Sequence, residues 1–144
     1  MTVVRVAGFA ELDVATLYEL LRLRVDVFVV EQSCAYPELD GRDTEPGTRH
    51  IWTADEAGPT AYLRLLDDGD GARRIGRVCT RADARGAGLA AQLMRSGVDA
   101  AAGAPVMLAA QSHLAGWYAR FGFVADGADF VEDGIPHRTM RRGG

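Results

Sequence analysis

The residues from Arg77 to Met94, RVCTRADARGAGLAAQLM, set a β-branched and apolar run, a turn of glycine and alanine, and a helical stripe in succession. Small and apolar residues recur at Leu89, Ala90, Leu93, Met94, Gly97 and Val98, the 3.6-residue period of a helix with one packed face. Ile75 to Thr80 read as the strand before it. Between the two, Arg85, Gly86, Ala87, Gly88, Leu89 and Ala90 let the backbone turn sharply and present unpaired N–H groups at a helix start, which favours a bound anion. No Gly-Lys-Ser/Thr follows, and the G-x-G-x-x-G spacing is absent, so this is neither a Walker loop nor a dinucleotide fingerprint. What remains is R-x-x-G-x-A between a strand and a helix.

The elements that must position this turn can be read in chain order. Thr2 to Phe9 reads as a short first strand, and Asp13 as the cap of a helix with Val14, Leu17, Leu20, Leu21, Val25 and Phe28 on its apolar stripe. The β-branched cluster after Val25 predicts a helix end near Phe28. Residues Ser33 to Thr48 form a long connection carrying Glu38, Asp40, Asp43 and Glu45, which reads either as a solvated surface loop or as a functional one whose four acids would suit a cationic amine. Arg49–Asp55 and Thr60–Leu66 read as a hairpin, Arg73–Thr80 as its third strand, and Pro105–Ala110 as a buried strand. Leu114, Trp117, Tyr118 and Phe121 share a helical face that Gly122 ends. Val131 to His137 reads as an acidic turn, and Arg138–Arg142 as a last strand.

Two stretches of this chain, R-x-x-G-x-A at Arg85–Ala90 and W-Y-x-x-F-G-F at Trp117–Phe123, resemble motifs of the GNAT acyltransferases (Gcn5-related N-acetyltransferases), in the order and spacing of that family. FVVEQ at Phe28–Gln32 and EDGIPH at Glu132–His137 are similar to a bacterial, ElaA-like subgroup of it. The resemblance runs from about Val3 to Arg142 and implies an α/β fold, a mixed and mostly antiparallel central sheet with helices on both faces. It implies a CoA-dependent N-acyltransferase that moves an acetyl or short acyl group from acyl-CoA to a primary amine, small or peptidic, by direct attack in a ternary complex.

The same resemblance assigns roles. Amides of Gly86, Ala87, Gly88, Leu89 and Ala90 would hold the CoA pyrophosphate, with charge from Arg85; main-chain groups of Val78 and Thr80 would align the pantetheine arm, the amide near Val78 facing the thioester oxygen. Tyr118 matches the tyrosine that protonates the leaving thiolate, a task suited to a phenol of pKa about 10. Glu31 and His137 are both candidates for the base, ahead of His50 and His113. Gln111 stands seven residues before Tyr118, where many family members carry an Asn that binds the pantetheine arm.

Composition bounds these readings. The 144 residues suit one domain, 48% hydrophobic and 25% charged; the resemblance implies acetyl-CoA as cosubstrate and no metal. A formal net charge of −4 and the lack of a basic stripe argue against nucleic acid, and no apolar run is long enough to span a membrane, so a cytoplasmic location is expected; a homodimer is compatible with the sequence. All sixteen basic residues are arginine, so the enzyme cannot modify itself on a lysine side chain. Cys34 and Cys79 lack metal or redox spacing and read as free thiols, Cys79 buried. DDGDG at Asp67–Gly71 lacks the closing Glu of a calcium loop, and no Ser-His-Asp order or metal-ligand cluster supports a hydrolase or metalloenzyme. Two rival readings are a non-catalytic acyl-CoA-binding sensor or regulatory module and, because VFVVEQ also resembles the N-terminal region of autoinducer synthases, a user of carrier-borne acyl chains.

Overall fold

The computed structural model describes residues 2 to 143. Among them, eight strands form one sheet: β1 (Arg5–Ala7), β2 (Arg49–Asp55), β3 (Gly58–Asp67), β4 (Arg73–Thr80), β5 (Val106–Gln111), β6 (Val124–Ala125), β7 (Phe130–Glu132) and β8 (Ile135–Arg142). Their order is β1-β2-β3-β4-β5-β8-β6, with β7 also paired to β8. Every pairing is antiparallel except β4 with β5. The helices are α1 (Val14–Val25), α2 (Leu89–Ala100) and the single turn and a half of α3 (Ala115–Ala119).

Alternation along β3 divides the interior between the two faces of the sheet. Ala61, Leu63 and Leu65 join Ile75, Leu93, Met94, Val106, Leu108, Phe123 and Met140 in the larger core beneath α2. Tyr62 points the other way, into a smaller core with Leu20, Leu23, Val27, Trp52 and Cys79 beneath α1. Close approach of α2 depends on Gly97, where an added Cβ would lie 3.0 Å from Ile75 Cδ1. Helices thus cover both faces.

Asp13 caps α1 as its sequence suggests, accepting a hydrogen bond from the Thr16 amide at 2.6 Å. The buried stripe of that helix differs from the expected one: Leu20, Leu23 and Arg24 are buried, whereas Val14 is 84% exposed. The helix also does not stop at Phe28. It relaxes into a wider π-type turn over Asp26–Glu31, the Cys34 amide bonding back to Val29 and that of Gln32 to Val27. This loosening falls on the β-branched run Val27, Val29, Val30, where tight α-winding is least favourable.

Strands β2 and β4 match their expected bounds, but β1 spans only three residues, and β8 begins at Ile135, so His137 stands in a strand rather than a turn. Strands β6 and β7 had no counterpart in the sequence reading. The helix expected from Leu114 is shorter because a 3-10 turn, Ser112–Leu114, links it directly to β5.

Two features shape the centre of the sheet. The parallel pairing of β4 with β5 is confined to Arg73 with Val106 and Arg74 with Met107, after which the strands part. In the same stretch β4 carries a bulge: Tyr62 faces Cys79 and Arg64 faces Gly76, so that Leu63 alone spans both Arg77 and Val78. Arg77 takes a left-handed φ of +55°, a conformation that non-glycine residues rarely adopt.

Candidate active site

The parted strands open a cleft of about 650 Å³. Gly76, Arg77 and Val78 of β4 form one wall, Leu108, Ala109 and Gln111 of β5 the other, Leu114 and Tyr118 close one end, and Ile135 and His137 come from β8. Phe28, Gln32, Cys34 and Tyr36 cover it from the segment after α1. Four expected site residues, Val78, Gln111, Tyr118 and His137, therefore meet on one cavity, although they are spread over sixty residues of chain.

Tyr118 stands on α3 among Trp117 and Phe121, with the Trp117 ring packed edge-on at 4.9 Å. Burial pushes its phenol up to about 12, so it holds its proton throughout the neutral range. His137 lies opposite Gln111 in the β5–β8 ladder and stacks on Phe130. Its Nδ1 is 2.7 Å from the Ile135 carbonyl oxygen, and a carbonyl can only accept, so Nδ1 carries the hydrogen. In the neutral ring the lone pair is then on Nε2.

Glu31 and Arg85 are not in the cleft wall. They form a two-bonded ion pair, with Arg85 Nη1 2.8 Å from Glu31 Oε2 and Nη2 2.7 Å from Oε1, while Arg85 Nε donates to the Thr80 carbonyl. The Arg85 guanidinium holds the Glu31 carboxyl below its ordinary value, making it a poorer base. The turn itself is open. Gly86 and Gly88 have φ of +86° and +75°, a Cβ on either would meet nothing within 4 Å, and no side chain caps the start of α2. Such a turn, followed by three helical turns whose first amides lack intrahelical partners, fits a pyrophosphate.

The acids of the long connection require a correction. They do not form a free anionic surface for a cationic amine, because arginines already neutralise them. Glu38 accepts from Arg24 Nε at 2.7 Å and Arg77 Nε at 2.9 Å; Asp43 pairs with Arg24 at 2.7 Å and Arg64 at 3.2 Å; Asp40 accepts from Arg64 Nη1 at 2.9 Å; and Glu45 pairs with Arg42. Burial would raise the Asp43 carboxyl, but Arg24 and Arg64 outweigh it and hold it low, and the Arg64 guanidinium holds Asp40 well below the carboxylate range. Beside this network His50 is buried, its Nε2 donating to the Asp43 carbonyl and its Nδ1 accepting from Tyr62, and burial lowers its pKa. It is a structural histidine, whereas His113 is exposed. Cys34 and Cys79 are free, and burial pushes the Cys79 thiol up to about 12, away from reactivity. Among the described residues no His, Cys, Asp or Glu group is arranged to hold a metal, and no helix is long and apolar enough to cross a membrane.

A sheet split between β4 and β5, with a bulge in one wall and an open amide turn at the head of the following helix, has a counterpart among known families. Residues 19–143 match the model of the acetyltransferase (GNAT) domain. The chain belongs to the GNAT acetyltransferase family. UPF0039 protein Rv2851c of Mycobacterium tuberculosis is 49% identical over 138 residues, covering 93% of this chain and 88% of that protein. Protein ElaA of Escherichia coli is 42% identical over 141 residues, 92% of this chain and 91% of the relative; its crystal structure superposes with a TM-score of 0.92 at 38% identity over 99% of both chains. The crystal structure of an acyl-CoA N-acyltransferase from Pseudomonas aeruginosa gives a TM-score of 0.95 at 44% identity, covering 99% of this chain and all of that one. This is an ElaA-like GNAT, and the expected fold is the observed one.

Several wall residues of this GNAT cleft escaped the sequence reading: Phe28, Gln32, Tyr36, Gly76 and Arg77. A signal existed for Gly76 and Arg77, which immediately precede Val78 on a strand assigned to the donor. For Tyr36 there was none, because its place depends on how an irregular connection folds back.

Proposed function

We propose that this GNAT transfers an acyl group, acetyl or of similar length, from acyl-CoA to a primary amine, by direct attack of the amine in a ternary complex. The observation that carries this reading is the convergence of Tyr118, His137, Gln111 and the Val78 segment on the cleft between β4 and β5. Bound acyl-CoA supplies the thioester: an electrophilic carbonyl and a thiolate leaving group. Amides of the Gly86–Ala90 turn hold its pyrophosphate, and Gln111, at the end of β5, contacts the pantetheine arm. The amide near Val78, freed from regular pairing by the bulge, donates to the thioester oxygen as it gathers charge. Tyr118 gives its proton to the departing sulfur, and His137 Nε2 takes the proton that the amine must lose.

Between the two base candidates the geometry favours His137, which is in the cleft wall with one nitrogen fixed and the other free, over Glu31, which is committed to Arg85. The test is calorimetric titration with acetyl-CoA followed by a panel of primary amines, free thiol being measured as product. Binding with amine-dependent thiol release supports the transferase. Binding without release across the panel supports the sensor reading, and absence of binding overturns the donor site.

A further inference from the structure

A buried carboxylate ties the 33–48 connection to the bulge in β4. Arg77, the left-handed residue of that bulge, directs its side chain at Glu38: Nε lies 2.9 Å from Oε2, and Nη2 donates to the Glu38 main-chain carbonyl at 3.1 Å. Its guanidinium also packs over the Tyr36 ring at 5.5 Å. Glu38 is itself immobilised, only 4% exposed, with Arg24 Nε of α1 on the same Oε2 and the Tyr36 hydroxyl donating to Oε1. An arginine in a left-handed strand position persists only where its surroundings hold it there. Here those surroundings are the carboxylate and main-chain carbonyl of Glu38, the Tyr36 ring and, at 3.5 Å from Nη2, the Asp40 carboxylate, with Glu38 itself held by Arg24 of α1.

We infer that Arg77 is a positioning residue, whose bonds to Glu38 fix the β4 bulge and so aim the adjacent Val78 amide at the position of the thioester oxygen. This rests on the acyltransferase reading, which places that oxygen at Val78. The bulge puts the side chain and the amide to separate uses: the Arg77 side chain faces the 33–48 connection, and the next peptide faces the donor. Because Glu38 lies in the 33–48 connection, the same bonds tie that connection to the donor strand.

The experiment uses acetyl-CoA labelled with carbon-13 at the acetyl carbonyl, bound to the wild-type protein and to Arg77→Gly, Arg77→Ala and Arg77→Lys. The infrared stretch of the labelled carbonyl is recorded free and bound, alongside binding affinity and thermal melting. Glycine accepts the left-handed backbone without the clamp, and lysine restores a cation within reach of Glu38. In all three variants Glu38 keeps Arg24, so the buried carboxylate stays paired. The wild-type stretch is expected to move to lower frequency on binding. Arg77→Gly and Arg77→Ala should lose most of that shift with affinity within about threefold, and Arg77→Lys should recover part of it. With a competent amine the same two variants should lower kcat by about 10²-fold at little-changed KM, the scale of a misplaced donor. A full wild-type shift retained by both variants overturns the clamp while leaving the acyltransferase reading intact. Wild-type binding without any shift overturns the placement of the oxygen at Val78, and the inference with it.

Discussion

Glu31 and Arg85 are bound to each other through two hydrogen bonds of 2.7 and 2.8 Å, fifty-four residues apart in sequence. The pair joins the end of the π-type turn to the head of the glycine-rich turn before α2, and it engages the carboxylate that competes with His137 for the role of base. If His137 is the base, Glu31→Gln should leave kcat within about threefold of wild type and, by releasing Arg85, tighten acetyl-CoA binding modestly. His137→Ala should lower kcat by about 10²- to 10⁴-fold, with partial recovery on adding free imidazole. A larger loss in Glu31→Gln than in His137→Ala would reverse the assignment.

Tyr118 supplies the second kinetic test. Because burial pushes its phenol up to about 12, it stays protonated wherever the enzyme is assayed. Tyr118→Phe should therefore lower kcat by about 10²- to 10⁴-fold without altering the shape of the profile between about pH 7 and 10. Acetyl-CoA affinity should not change, since the ring and its packing against Trp117 are retained. Equal rates for variant and wild type would remove Tyr118 from the mechanism.

The extent to which these residues were legible in sequence follows from how local their signals are. The Gly-rich turn and the Trp117–Phe123 segment are contiguous, so their geometry is set mostly by near neighbours, and β2 and β4 are bounded by turn residues at both ends. Arg24 gives the opposite case. A charge in an amphipathic helix ordinarily marks the solvent face, and only the folded connection, by bringing Glu38 and Asp43 to it, makes burial tolerable. The same closure converts four acids that look like an amine-attracting surface into partners for arginine. The bulge at Arg77 was equally hidden, because it is a mismatch between two strands and neither strand records it alone.

Arg24 makes a strong prediction about stability. It has no exposed side-chain surface and binds both Glu38 and Asp43, so Arg24→Ala takes the nearest cation from two buried carboxylates, leaving Glu38 to Arg77 and Asp43 to Arg64. A loss of about 3–5 kcal/mol is expected by urea denaturation, the cost of breaking a buried pair by removing one partner. A loss below about 1 kcal/mol, the range of exposed pairs, would show that water reaches the network.

The pH dependence of stability tests the same network from the acid side. Asp40 and Asp43 have folded pKa values held below their ordinary value by Arg64 and Arg24, so in the unfolded chain they take up protons first as pH falls. Their contribution is complete above the ordinary carboxylate pKa of about 4 and is lost progressively below it. Denaturation free energies should be insensitive to these groups between about pH 7 and 5 and fall below about pH 4; an Asp40→Asn variant should show a shallower fall, and an equal slope would contradict the pairing.

Gly86 and Gly88 allow the donor site to be probed apart from the chemistry. Both backbones are left-handed, at φ of +86° and +75°, and both positions have open space where a side chain would go. A valine at either meets no steric wall, so any effect must come from the backbone, where a β-branched residue in this region costs about 1–2 kcal/mol. The turn relieves that strain by rotating out of the left-handed region, which redirects the amides proposed to hold the pyrophosphate. Gly86→Val and Gly88→Val should therefore weaken acetyl-CoA binding by about 10-fold or more while α2, anchored through buried Leu93, Met94 and Gly97, keeps the melting temperature within a few degrees. Calorimetry with acetyl-CoA and with S-acetylpantetheine, which lacks every phosphate, separates the outcomes: weakening of the first alone assigns the turn to the phosphate-bearing part of CoA. Unchanged affinity for acetyl-CoA in a folded variant would place the pyrophosphate elsewhere.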